Sequence, residues 1–109
     1  MQPLAALTSL WNGLGWPAAA LAQVRLSGAE PVLPSSFAVG TAAQVTIAAS
    51  ALAASAIWQL RGGRPQTVGV DMRHAATEFH SEHWLSVESK PPSETWDKIA
   101  GTYQCGDGR

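Results

Sequence analysis

Charge is scarce in this chain: Asp, Glu, Lys and Arg make up 14% of it, against roughly 25% in an average soluble domain. A chain of 109 residues folds as one small domain and leaves much of its surface open to water. So few charges imply that part of that surface is normally covered. Seven basic against eight acidic residues give a formal net charge of −1, with no Lys/Arg cluster, which excludes nucleic-acid binding through a basic face. A single cysteine, Cys105, excludes an internal disulfide framework and any multi-cysteine zinc site. Nothing repeats, and no segment is low enough in complexity to read as disordered. What is present is apolar and small-residue rich, at 46% hydrophobic residues.

No basic residue precedes Arg25, so the apolar positions near the N-terminus lack the positive region of a secretory signal. Residues 41–60 are free of charge and, as a helix, would span about 30 Å. Thr41, Gln44, Thr46, Ser50, Ser55 and Gln59 interrupt them, and Ala is the dominant apolar residue. Ala offers lipid little apolar area. The stretch therefore reads as the buried helix of a soluble protein, and the expected location is the cytoplasm, with no membrane partner.

Residues 3–12 read as a helix with Leu4, Leu7, Leu10 and Trp11 on one face, stopped by Gly13 and Gly15. Pro17 suits the first turn of a second helix over residues 18–23. Residues 24–26 fit a short strand, and residues 27–36, with Gly28, Pro31 and Pro34, a loop. A long Ala-rich helix is expected from near residues 36–41 to Leu60, packing through Ile47, Ala51, Ala54 and Trp58. Arg61 suits the negative end of its dipole, and Gly62 and Gly63 supply left-handed conformations that end it. Residues 66–70 read as a short buried strand, and Asp71 as the N-cap of a helix over residues 72–79. Residues 84–87 suggest an edge strand before the break at Pro91 and Pro92. Residues 101–105 suggest a strand leading into a Gly106–Asp107–Gly108 hairpin turn that lacks its second strand. The whole is α/β in class. It reads as a single partial domain: an N-terminal helical segment over residues 1–32, a core over 33–79, and a tail over 80–109 that ends in an unfinished hairpin.

Few residues carry chemistry on their own. His74, His80 and His83 lie beside Glu78 and Glu82. Their spacing lacks the HExxH arrangement of a hydrolytic zinc site, and a solvated helix face accounts for them, so no metal is expected. Ser35 and Ser36 sit outside any nucleophile elbow and suit a turn. Cys105 has no activating neighbour and reads as a strand cysteine. The Arg61–Gly62–Gly63–Arg64 turn carries two guanidiniums that suit a phosphate but lacks the Lys-Ser/Thr ending of a P-loop. Five tryptophans without basic interleaving suit buried anchors or contacts to a partner segment better than base stacking.

The joined pattern of an Ala-rich helix, Arg61-Gly-Gly-Arg-Pro-Gln66, Val68-Gly-Val-Asp71 and Met72 to Ala76 resembles the class III CoA-transferases, the CaiB/BaiF family. The resemblance covers residues 31–79 well and the flanks more loosely. It implies a divergent N-terminal fragment of a cytoplasmic enzyme that moves CoA between acyl groups and carboxylic acids, or isomerises an acyl-CoA. CoA or acyl-CoA would be substrate, with no covalently bound cofactor. In that family an aspartate attacks the thioester, forming a mixed anhydride and then an aspartyl-CoA thioester, which divides one hard exchange into easier steps. Gly40 matches the glycine before that aspartate and Thr41 its position. Thr41 has no carboxylate with which to form an anhydride, so the catalytic residue is unassigned. Pro65 replaces the usual second glycine of the turn. Gln44, Arg61, Arg64 and His74 are the groups expected to line any cofactor site, and the resemblance implies an interlocked homodimer for the full-length protein, which would cover the charge-poor surface. The competing reading is a non-enzymatic interaction module or an inactive truncated copy.

Overall fold

Two short strands lying side by side, far apart in sequence, organise the molecule. The computed structural model describes residues 2–90 and 97–108. Strand β1 (Val24–Ser27) pairs in parallel with β2 (Val68–Asp71), in a register that sets Val24 against Val68, Leu26 against Val70 and Ser27 against Asp71. Parallel neighbours need a crossover, and helix α2 (Val39–Leu60) provides it. Before this βαβ unit come helix α1 (Pro3–Gly13) and a 3₁₀ stretch, Ala18–Gln23. After it come helix α3 (Met72–Glu78) and a single 3₁₀ turn, Ser81–His83. The architecture is mixed α/β. One core gathers Leu7 and Trp11 of α1, Val24 and Val70 of the strands, Ala43, Val45, Ala48 and Leu52 of α2, and Ala75 of α3.

Helix α1 starts where its proline suits an N-terminal turn. It buries Leu7 and Trp11 but leaves Leu4 and Leu10 exposed, so its buried face is narrower than the sequence spacing implies. Gly15, at φ +70°, turns the chain back. Trp16 then meets Trp11 edge-on, with centroids 4.6 Å apart at 74°, and the Trp11 indole N–H donates to the Pro17 carbonyl at 3.0 Å. The six residues that follow form a 3₁₀ rather than an α-helix. So short a run, held between Pro17 and β1, gains too few i→i+4 bonds to offset α-helix nucleation.

Helix α2 departs from expectation in its orientation. Its buried residues include Thr41, Gln44, Val45, Ala48, Leu52 and Ser55. Of the expected stripe, Ile47 and Ala51 are half-buried, while Ala54 and Trp58 are exposed. The stripe is rotated because Gln44 points inward to bind strand carbonyls. The helix ends where expected, though Gly62 alone of the two glycines is left-handed, at φ +86°: the Gly62 N–H donates to the Gln59 carbonyl and the Gly63 N–H to the Trp58 carbonyl, at 3.0 Å each. This is a Schellman ending. The Trp58 ring lies over Gly63, where a Cβ would come within 2.1 Å of it.

The tail differs most from expectation. Residues 84–87 form no strand: Trp84 follows the 3₁₀ turn, and Val87 and Lys90 form an isolated bridge around Glu88 and Ser89, both at positive φ. Residues 101–105 form no strand either, no partner lying alongside them among the described residues to accept a ladder, and Cys105 is an exposed free thiol. The turn at its end is present, closed by the Gly108 N–H on the Cys105 carbonyl at 2.9 Å. Pro91, Pro92, Trp96 and Arg109 lie outside the described residues.

Candidate functional site

In a βαβ unit the crossover helix runs against its strands, so its N-terminus lies at their carboxyl ends, the usual place for ligands in open α/β folds. The polar residues of this protein gather there. β1 ends on Ser27 and β2 on Asp71, and the Ser27 hydroxyl donates to Asp71 Oδ2 at 2.9 Å. The other Asp71 oxygen accepts the backbone N–H groups of Arg73 and His74, at 3.0 and 3.2 Å, as the N-cap of α3. Gln44, fully buried, donates from its one amide nitrogen to the carbonyls of Ser27 (2.7 Å) and Val70 (2.8 Å). A single side chain therefore ties α2 to both strands.

The first turn of α2 has no side-chain cap from its own N-cap residue, Ala38. Glu30 supplies one from the preceding loop. Its Oε1 accepts the Thr41 N–H at 2.6 Å and its Oε2 the Val32 N–H at 3.3 Å. The Thr41 hydroxyl is buried and makes no hydrogen bond of good geometry. It nevertheless lies near enough to that carboxylate to add to its stabilisation. Both carboxylates are held below their ordinary range, Glu30 chiefly by the Thr41 N–H and Asp71 chiefly by the His74 N–H. Each also sits at the positive end of a helix dipole.

These shifts predict an acid-sensitive fold. A carboxylate with a depressed folded value contributes its full stability above its unfolded value, here ordinarily 4.5 for Glu30 and 3.8 for Asp71. That contribution disappears as pH falls through the lower folded value. The thermal midpoint is therefore expected to hold steady above about pH 5 and to drop below it. Asp71→Asn, which still caps a helix, combined with Glu30→Gln, should flatten that acid limb in a melting series across pH.

The residues proposed from sequence divide between two ends of the molecule. Thr41, Gln44 and His74 lie at the carboxyl ends of the strands. Arg61 and Arg64 follow the other end of α2, separated from Thr41 by a helix rise of about 30 Å, and both are exposed. One small ligand headgroup does not bridge that span, so the five do not form one compact site. Gln44 is sealed inside and its amide nitrogen is engaged by backbone, so it braces the site rather than lining it. His74 is exposed on the first turn of α3. Sequence reasoning missed Glu30 and Ser27, whose partners lie 11 and 44 residues away. Among the described residues no group of three or more His, Cys, Asp and Glu is placed to hold a metal ion.

Helix α2 is long and apolar enough to cross a membrane. Half of its most apolar 18-residue window is buried inside the molecule, against α1, α3 and both strands. No protein-family model matches the chain, and no curated protein or solved structure matches it either.

Proposed function

We propose that this chain belongs to a CoA-transferase-like protein of the CaiB/BaiF type. It acts in the cytoplasm on acyl-CoA thioesters, exchanging CoA between acyl groups and carboxylic acids or isomerising an acyl-CoA, and its full-length form is a homodimer. The observation that supports this most is the βαβ unit. The segments that carry the resemblance (the Ala-rich helix, the Arg-Gly-Gly turn, the Val-Gly-Val-Asp strand and the capped helix) are contiguous in space. The start of the helix and the Val-Gly-Val-Asp strand bring Thr41 and Asp71 to the end where an open α/β fold takes a ligand, while the Arg-Gly-Gly turn lies at the opposite end of α2.

One observation favours the second reading, an interaction module or inactive copy. Thr41, at the position of the family's aspartate, is buried, and its backbone N–H is held by the Glu30 carboxylate. Calorimetric titration of CoA and of an acyl-CoA against this chain separates the two. Saturable binding is the expected result. A folded protein that binds neither ligand leaves the non-enzymatic reading.

A further inference from the structure

The last turn of α2 ends in water with its largest side chains uncovered. Leu60 is 86% exposed, and Ile57, Trp58 and Trp16 are each about half exposed. A trough of about 640 Å³ joins three of them: Trp16, Ile57 and Leu60 all line it, between the 3₁₀ stretch and the end of α2. Its position is fixed by Gln59, whose amide donates to Gln23 Oε1 at 3.2 Å and so holds the end of α2 beside the start of β1. Large apolar side chains gathered in one place on a surface mark a contact.

The charge at this end is of one sign. Arg61 and Arg64 follow Leu60 in the turn, both exposed, and neither guanidinium has a hydrogen bond or ion pair among the described residues. The Trp58 ring lies against Gly63, between them in sequence, which only a residue without a Cβ allows. An indole is thereby held beside two cations. The elements that build this end (α1, the 3₁₀ stretch, β1 and α2) contain no acid. Glu30 caps the opposite end of α2, and every other Asp and Glu follows position 70. The molecule as a whole carries −1, so the positive charge is local.

These features discriminate among occupants. A second copy docked about a twofold axis meets the same patch on itself, which here sets arginines against arginines with no acid to pair them. An ordinary protein interface takes roughly 20–30 residues a side, far more than the few gathered here. Trp, Leu and Ile beside Arg are instead the mixture that settles at a bilayer surface, with indoles at headgroup level, aliphatic side chains below and guanidiniums on lipid phosphates. We infer that the C-terminal end of α2, together with Trp16, docks on an anionic membrane surface. The contact is peripheral and leaves α2 packed in its own core. It departs from the sequence expectation of no membrane partner without making α2 a span, and it does not rest on the acyl-CoA reading.

The full chain is sedimented with vesicles of phosphatidylcholine alone, or of phosphatidylcholine mixed with phosphatidylglycerol. It should pellet with the mixed vesicles, stay largely free of the neutral ones, and dissociate as salt rises. Arg61→Ala combined with Arg64→Ala should weaken binding about tenfold or more, and Leu60→Ala several-fold. Lysine at both arginine positions should largely preserve it, since the attraction is one of charge. The control Arg73→Ala, at the far end on α3, should leave it unchanged. All four side chains are exposed, and circular dichroism checks that the variants fold. Absence of binding to the mixed vesicles would overturn the inference. So would equal binding to both vesicle types, or a loss in Arg73→Ala as large as in the arginine pair. Self-association of the free chain in sedimentation velocity, abolished by Leu60→Ala, would give this face to a second copy and overturn it as well.

Discussion

Gln44→Ala is expected to destabilise the protein by about 3–5 kcal/mol, combining one buried and one part-buried carbonyl deprived of a donor with the void left by the side chain. Native stability in domains of this kind is about 5–15 kcal/mol, so the variant should unfold at a much lower urea concentration. The size of the effect follows from geometry: Gln44 is fully buried, and its amide nitrogen reaches Ser27 O and Val70 O at 2.7 and 2.8 Å. Gln44→Met separates the two contributions, because it keeps most of the volume and removes both donated bonds. It should therefore cost less than alanine yet remain clearly destabilising. Gln44→Glu places an oxygen where the donor stood, and its ionised form donates nothing, so near neutral pH it should be at least as damaging as methionine. If Met proves as stable as Gln in urea denaturation, the clamp between helix and strands has no energetic weight.

That clamp also explains what the sequence conceals. The start of α1, the Schellman stop at Gly62 and Gly63, and the Asp71 cap were all legible, because each is a local signal whose partners lie within a few residues. The buried stripe of α2 was not. Ala and other small residues surround the helix on nearly every side, so hydrophobicity gives little angular contrast. The orientation is decided instead by a glutamine whose partners sit 17 and 26 residues away. The same distance hid the candidate site. Glu30 reads as a polar loop residue until the loop folds over α2 and meets the Thr41 N–H. Ser27 and Asp71 become neighbours only once the parallel register is set. In the tail the error ran the other way: Trp84 to Val87 and Gly101 to Cys105 have strand-like composition, but β-propensity expresses packing against a neighbour. No neighbouring strand lies beside them among the described residues. The resemblance to CoA-transferases rested on contiguous sequence, and contiguity says little about which residues line a site. Arg61 and Gln44 stand close in that pattern, yet one is exposed past the end of α2 and the other is sealed at its beginning.

Gly28→Ala is the second substitution with a large expected cost, about 2–5 kcal/mol, from two independent sources. Gly28 sits at φ +89°, where an L-residue suffers a steric penalty of about 1–2 kcal/mol. Its Cβ would also lie 2.9 Å from Met72 Cβ and 3.3 Å from Met72 N. A Cβ is fixed by its own backbone and cannot rotate aside. Met72 is fully buried as the first residue of α3, so relief requires β1 and α3 to separate, an overpacking cost of about 1–3 kcal/mol. Gly69→Ala is the matched control. It lies mid-strand in β2 with nothing within 4 Å of its Cβ position, and should be neutral or gain up to about 1 kcal/mol, since glycine weakens a strand. Separation of β1 from α3 would also strain the Ser27–Asp71 hydrogen bond and shift the loop that carries Glu30. In Gly28→Ala the Thr41 amide should therefore exchange its hydrogen faster than the general loss of stability accounts for, while in Gly69→Ala its protection should stay unchanged.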